Sequence, residues 1–232
     1  MKRLAAIILA FSLSSTVLAN GQDLDLDLEI TTEEIETPYE VIDLVYQNQE
    51  SQESAYYESL GESQIESAVS LSQIVNLGKQ VWDIVKKGKP VANVEFDYAN
   101  ALPRGIVDVA ELNGFSDLQF KSYRISAKNL YGASVYNIVY TMVHQFGGSY
   151  DGQGSYLSTV SIIPSSVTVL WGYTVDYKVA KVAAVNVGTA ENPVGSLLMD
   201  LKFKVSTVLK SHETNTLVQF RGDKAEVTST RM

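Results

Sequence analysis

Few residues of this chain are equipped for chemistry, and their spacing restricts them further. There are two histidines, His144 and His212, and no cysteine. With two imidazoles and no thiol, a multi-histidine or zinc–thiolate centre is excluded, as is a thiol nucleophile. His144 sits in the apolar run Met142-Val143-His144-Gln145-Phe146, and His212 in the turn-like Ser211-His212-Glu213-Thr214. His212-Glu213 lacks the second histidine that a zincin helix needs. A Ser–His–Asp triad stays formally open, yet no Gly-x-Ser-x-Gly elbow is present, and Ser149 and Ser155 fall in a glycine-rich loop. Paired carboxylates offer another route. Glu95 with Asp97, or Asp108 with Glu111, would serve a secreted hydrolase if either pair faced one cleft at glycosidase separation.

The loop Gly147-Gly148-Ser149-Tyr150-Asp151-Gly152-Gln153-Gly154 is the most unusual in the body of the chain. It has no Walker lysine and opens no helix, so a phosphate cradle is not expected. It reads as a hairpin connection or as a contact loop, with Tyr150, Asp151 and Tyr156 as the expected ligand-binding residues. No catalytic residue, cofactor or metal ligand is assigned. The alternation Asp23-Leu24-Asp25-Leu26-Asp27-Leu28-Glu29 places carboxylates at every second position, a pattern able to meet calcium. No glycine turn follows it, however, and it reads as a solvated tail. Arg221-Gly222-Asp223 matches an integrin tripeptide but falls where a Gly-Asp hairpin turn is expected.

The elements that must position these residues are mostly strands. After Pro90 the apolar pattern has period two. It predicts strands at 91–98, 105–112, 118–127, 134–146, 156–163, 167–187, 196–209, 216–221 and 225–229, with Gly172 as the bend in the longest. Short strands parted by turns, with no helical pattern between them, predict a mainly β chain: an antiparallel β-sandwich-like domain over 90–232. A membrane β-barrel shares this periodicity, but Lys178, Lys202 and Lys204 suit solvent better than lipid, and the chain does not end on an aromatic residue. One amphipathic helix is expected at 63–89. It opens on the capping box Ser63-Gln64-Ile65-Glu66, carries Trp82 on its apolar stripe, and closes at Gly88 and Pro90. Packed on the sheet, it would make Trp82→Ala destabilising by several kcal/mol, about 3–5 for a large buried aromatic. Thr37-Pro38-Tyr39-Glu40 reads as a second capping box, although the run to Tyr46 suits a strand equally.

Lys2 and Arg3, the apolar run Leu4–Leu13 and Val17-Leu18-Ala19 form an expected signal peptide over 1–19, followed by an acidic, largely disordered segment over 20–62. Between Asn20 and Gly78 the chain carries fourteen Asp or Glu and no Lys or Arg. No basic patch exists to release counterions, so nucleic acid is excluded as a partner. No segment after the leader is apolar enough for a stable membrane span. These features predict an exported, non-catalytic binding or interaction protein, periplasmic or extracellular, with a protein or carbohydrate partner. The rivals are a membrane-active or pore-forming β protein, using 167–187 as an insertion hairpin, and the carboxylate hydrolase. Oligomeric state is left open.

Overall fold

The computed structural model describes residues 28–39, 41 and 42, 92–95, 98–106 and 108–232. They form eleven strands: β1 (Leu28–Ile35), β2 (Ala92–Glu95), β3 (Tyr98–Ala101), β4 (Gln119–Asn129), β5 (Ser134–Gln145), β6 (Gly148–Tyr150), β7 (Gln153–Val169), β8 (Thr174–Asn186), β9 (Gly195–Ser206), β10 (Ser211–Arg221) and β11 (Thr228–Arg231). Two sheets result. The first has the order β1-β4-β5-β7-β3, with β6 paired to β7, and is antiparallel throughout. The second, β11-β10-β9-β8-β2, is an antiparallel meander with β2 added in parallel along Val175–Lys178 of β8. Each sheet has its own edges among the described residues, and two sheets that share one core make a sandwich-like arrangement.

The strand pattern explains the burial. In β9, Leu197, Met199, Leu201, Phe203 and Val205 are buried, while the residues between them are partly or fully exposed. This is the period-two signature of a sheet wetted on one face. They share one core with Tyr136, Ile138, Tyr140 and Met142 of β5 and with Ile162 of β7. The sheets interlock through rings: Phe203 lies 5.8 Å from Tyr140 and 5.2 Å from Tyr177 between ring centroids. The buried Tyr177 hydroxyl donates to the Ile162 carbonyl at 2.9 Å, which satisfies a polar group that would otherwise be stranded in the core.

β5 behaves differently, because both of its faces are buried. Val139, Thr141, Val143 and Gln145 point away from the core yet are also shielded from solvent. That outer face is lined with hydroxyls. Ser122 donates to Thr37 at 3.0 Å and bonds Thr141 at 2.8 Å, Thr141 bonds Ser165 at 3.1 Å, and Ser158 donates to Gln145 at 2.7 Å. The chain after Thr37 turns helically, with the amides of Val41 and Ile42 donating to the Pro38 carbonyl, and Val41 is buried. This agrees with proline opening a helical turn there.

Several expectations need correction. Residues 28–35 are no solvated tail. β1 pairs with β4 along its whole length, helped by Arg124–Glu33 at 2.7 Å and Lys121–Glu34 at 3.1 Å. An acidic strand pairs when cations lie on the strand beside it, and the rest of the alternation, 23–27, lies outside the described residues. The expected strand 105–112 is a turn followed by a short 3-10 turn at Val109–Glu111, because Asp108 caps the amide of Ala110 at 2.9 Å. The expected strand 91–98 divides into β2 and β3, which belong to different sheets. The runs at 156–163 and 167–169 merge into β7, with a register shift opposite Val139 and Tyr140. The expected leader 1–19, the helix 63–89 with Trp82, and most of 20–62 lie outside the described residues. No described helix is long and apolar enough to cross a membrane.

Candidate functional site: a cationic cleft beside a strand edge

At the end of the molecule where β5 meets Gly147, three segments enclose a cleft of about 700 Å³. This is within the usual size for a ligand pocket. One wall is the end of β3 and the turn after it. Ile106 N donates to Pro103 O at 3.2 Å, and Gly105 has φ +92° at the third position, as a type II turn requires. Arg104 is held at the exposed second position of that turn. The opposite wall is the second half of β8, with Lys181, Ala184 and Val185. The floor includes Tyr156, which is almost fully buried.

The rim is built rigidly. Asn186 accepts from the amides of Gly188 at 2.9 Å and Val194 at 2.8 Å, and donates to Thr189 O at 3.1 Å. Its side chain therefore braces the 187–194 loop. Behind the floor the two sheets join through backbone: Gly147 N donates to Gly222 O at 2.8 Å and Ser155 N to Pro193 O at 2.9 Å, while Gly222 N donates to Gly195 O at 2.7 Å and extends the β9–β10 ladder. A Cβ on Gly222 would stand 2.2 Å from the Ser155 carbonyl oxygen, so only glycine fits there.

The cleft's chemistry is that of recognition. Its lining includes the cations Arg104 and Lys181, the amides Asn100 and Asn186, and apolar side chains, with no carboxylate, histidine or aliphatic hydroxyl among the described residues. Alongside it, β8 pairs with β9 through to Asn186, but its other edge is paired with β2 only as far as Lys178. From Val179 onward that edge faces no described strand. A register shift at Lys181–Ala183 bends it, a common guard on open edges along with lysine.

Of the three residues expected to bind ligand, Tyr156 lines the cleft, whereas Tyr150 and Asp151 do not. They form the tip of the β6–β7 hairpin, where Tyr150 pairs with Gln153. Asp151 (φ +49°) and Gly152 (φ +72°) make a two-residue type I′ turn, the hairpin connection that the glycine-rich sequence suggests. Sequence reasoning missed Arg104, Asn100 and Lys181, the last of which is remote in sequence from the other two and meets them only once the chain has folded. The visible signal was Pro103-Arg104-Gly105, a turn tripeptide overlooked at the start of a supposed strand.

The remaining motifs have structural explanations. Arg221 and Asp223 grip each other through two bonds, Nε to Oδ1 at 2.8 Å and a terminal nitrogen to Oδ2 at 2.6 Å. That guanidinium holds the Asp223 carboxyl below the usual carboxylate range. The pair closes a turn and leaves neither group extended toward a receptor. Asp108 caps its turn, and the Glu95–Asp97 pair has no described side chains. His144 is buried between Phe146 and Phe220, with ring centroids at 6.0 and 5.3 Å. Burial pulls its pKa down to about 4, partly opposed by the Ala225 backbone. No described group of three His, Cys, Asp or Glu could hold a metal ion. The 167–187 run, offered as an insertion hairpin, crosses from the first sheet to the second and gives Val175, Tyr177 and Val179 to the core. No protein-family model matches the chain, and no curated protein or solved structure compared with it matches either.

Proposed function

We propose that the chain is an exported, non-catalytic binding protein of the cell envelope or extracellular space, with a β-sandwich domain that carries its partner site. The partner is an extended, anionic segment of another protein, seated in the cleft along the β8 edge. The carrying observation is the coincidence in one cleft of two cations, apolar walls and a strand edge that faces no described strand, with no carboxylate or histidine in its described lining. A strand added to that edge gains backbone hydrogen bonds, while Arg104 and Lys181 favour carboxylates and the pocket walls take alternate side chains. The charged, apolar leader and the absence of thiols support export.

Fluorescence anisotropy with labelled acidic peptides, neutral peptides and oligosaccharides tests this. Arg104→Ala with Lys181→Ala is expected to weaken acidic-peptide binding about tenfold, roughly 1.4 kcal/mol. Equal affinity in the double variant, or a preference for oligosaccharide, would refute the peptide assignment.

A further inference from the structure

The opposite end of the molecule has a different character. Three turns meet there: 129–133 between β4 and β5, 170–173 between β7 and β8, and 207–210 between β9 and β10. Pairing places them side by side. Leu170 N donates to Val135 O at 2.7 Å, joining the first turn to the second. Thr174 pairs with Ser206, joining the second to the third. Turns normally carry polar residues, but these carry large apolar ones. Tyr131 and Trp171 are each 95% exposed and Val208 99%, with Leu130 and Leu209 also well exposed.

We propose that this end docks on a lipid bilayer, with the three tips entering the interfacial layer as separate fingers. Three observations support a bilayer over a protein partner. First, Tyr131, Trp171 and Val208, one on each turn, are almost wholly exposed and so are not seated against any described residue, a form that fluid lipid surrounds more readily than a packed protein surface. Second, most tip amides are already satisfied within the protein. Asn129 Oδ1 accepts from Tyr131 N and Ala133 N, each at 3.0 Å, and Gly132 N donates to Asn129 O at 2.8 Å. Tyr173 N donates to Leu170 O at 3.1 Å, and Thr207 Oγ1 accepts from Leu209 N at 3.3 Å and Lys210 N at 3.0 Å. Backbone paired in this way can leave water without stranding its polar groups. Third, the composition matches an interface: tryptophan and tyrosine at the tips, and Lys128 and Lys210 at their bases, placed to meet phosphate groups. None of the three turns contains Asp or Glu.

Docking of this kind leaves both sheets intact and needs no pore. It is led by apolar insertion, because Leu28 pairs with Asn129 at this end and is preceded in sequence by the acidic Asp23, Asp25 and Asp27.

The test uses the full chain as recovered from its host, mixed with phosphatidylcholine vesicles with and without phosphatidylglycerol, in low and high salt. Co-sedimentation is expected with phosphatidylcholine alone and is expected to survive high salt. Trp171 emission is expected to shift to the blue and to be quenched by brominated lipid, with Trp171→Phe subtracting the Trp82 signal. Replacing Trp171, Val208 and Leu209 by serine is expected to lower partitioning at least about tenfold, given the apolar area withdrawn from lipid. Because these side chains are exposed, the melting temperature should hold. If the triple variant misfolds, Val208→Ser with Leu209→Ser is read in its place. Equal partitioning of variant and parent, or quenching that persists in Trp171→Phe, would overturn the proposal. Binding that requires phosphatidylglycerol and disappears in salt would overturn it too. So would a dimer that the tip substitutions dissociate while vesicles go unbound.

Discussion

Where β5 runs into Gly147, three segments touch through bare backbone, and a cleft opens beside them. At the far end, three neighbouring turns hold large side chains in solvent. Both ends are made from hairpins and glycines, yet glycine does opposite work in each. Gly195 and Gly222 let two sheets approach within hydrogen-bonding distance, and a side chain on Gly222 would strike a carbonyl. Gly132 and Gly172 have positive φ and nothing within 4 Å of an added Cβ, so they shape turns without touching anything. The first end is therefore expected to carry stability beside its cleft, and the second to carry contact alone.

Substitutions can break that contrast. Gly222→Ala is expected to lower stability most, by about 3 kcal/mol, because the opposing atom is backbone and cannot step aside. Chemical denaturation measures it, and a loss under about 1 kcal/mol would show that the sheet junction yields. Acid probes the same end through His144. Its folded pKa of about 4 lies below the ordinary value of 6.5, so the unfolded chain binds the extra proton between those values. The stability that depends on the neutral ring is complete above about pH 6.5 and falls by up to about 3 kcal/mol as pH drops toward 4. His144→Phe should remove that part of the slope, and an unchanged slope would assign it to carboxylates.

Smaller effects sharpen the comparison. Tyr177→Phe removes one buried hydrogen bond across the core and is expected to cost about 1 kcal/mol, read as a lower denaturation midpoint. Trp171→Ser, at the exposed end, should change stability by less than about 0.5 kcal/mol. A large loss there would mean that the tips pack against something in the folded chain.

Much of the sheet architecture was legible before the fold was seen. In β9 and β10 the apolar residues alternate with polar ones, since one face meets water, and Gly172 marked the turn between β7 and β8. The boundaries failed where another force outweighed periodicity. β1 was misjudged because its acids find Arg124 and Lys121 on a strand far along the chain. The 105–112 run was misjudged because a single cap at Asp108 outweighed an alternating pattern. The candidate site was less visible. Tyr156 could be named, but Arg104 and Lys181 become neighbours only when β3 and β8 close on each other. Apolar residues inside turn tetrapeptides, as in Asn129-Leu130-Tyr131-Gly132, were a readable signal of the opposite end.

The ion pair between Glu33 and Arg124 spans 91 positions along the chain. A strand at the front whose mate is made so much later has to wait during synthesis. Its glutamates keep it dispersed in the meantime and mismatch it with other acidic stretches. The local hairpins of the second sheet need no such delay, since their loops close quickly. Contact order alone therefore predicts that this N-terminal segment settles against β4 late, and that a chain shortened past Ile35 leaves the outer edge of β4 without its described partner.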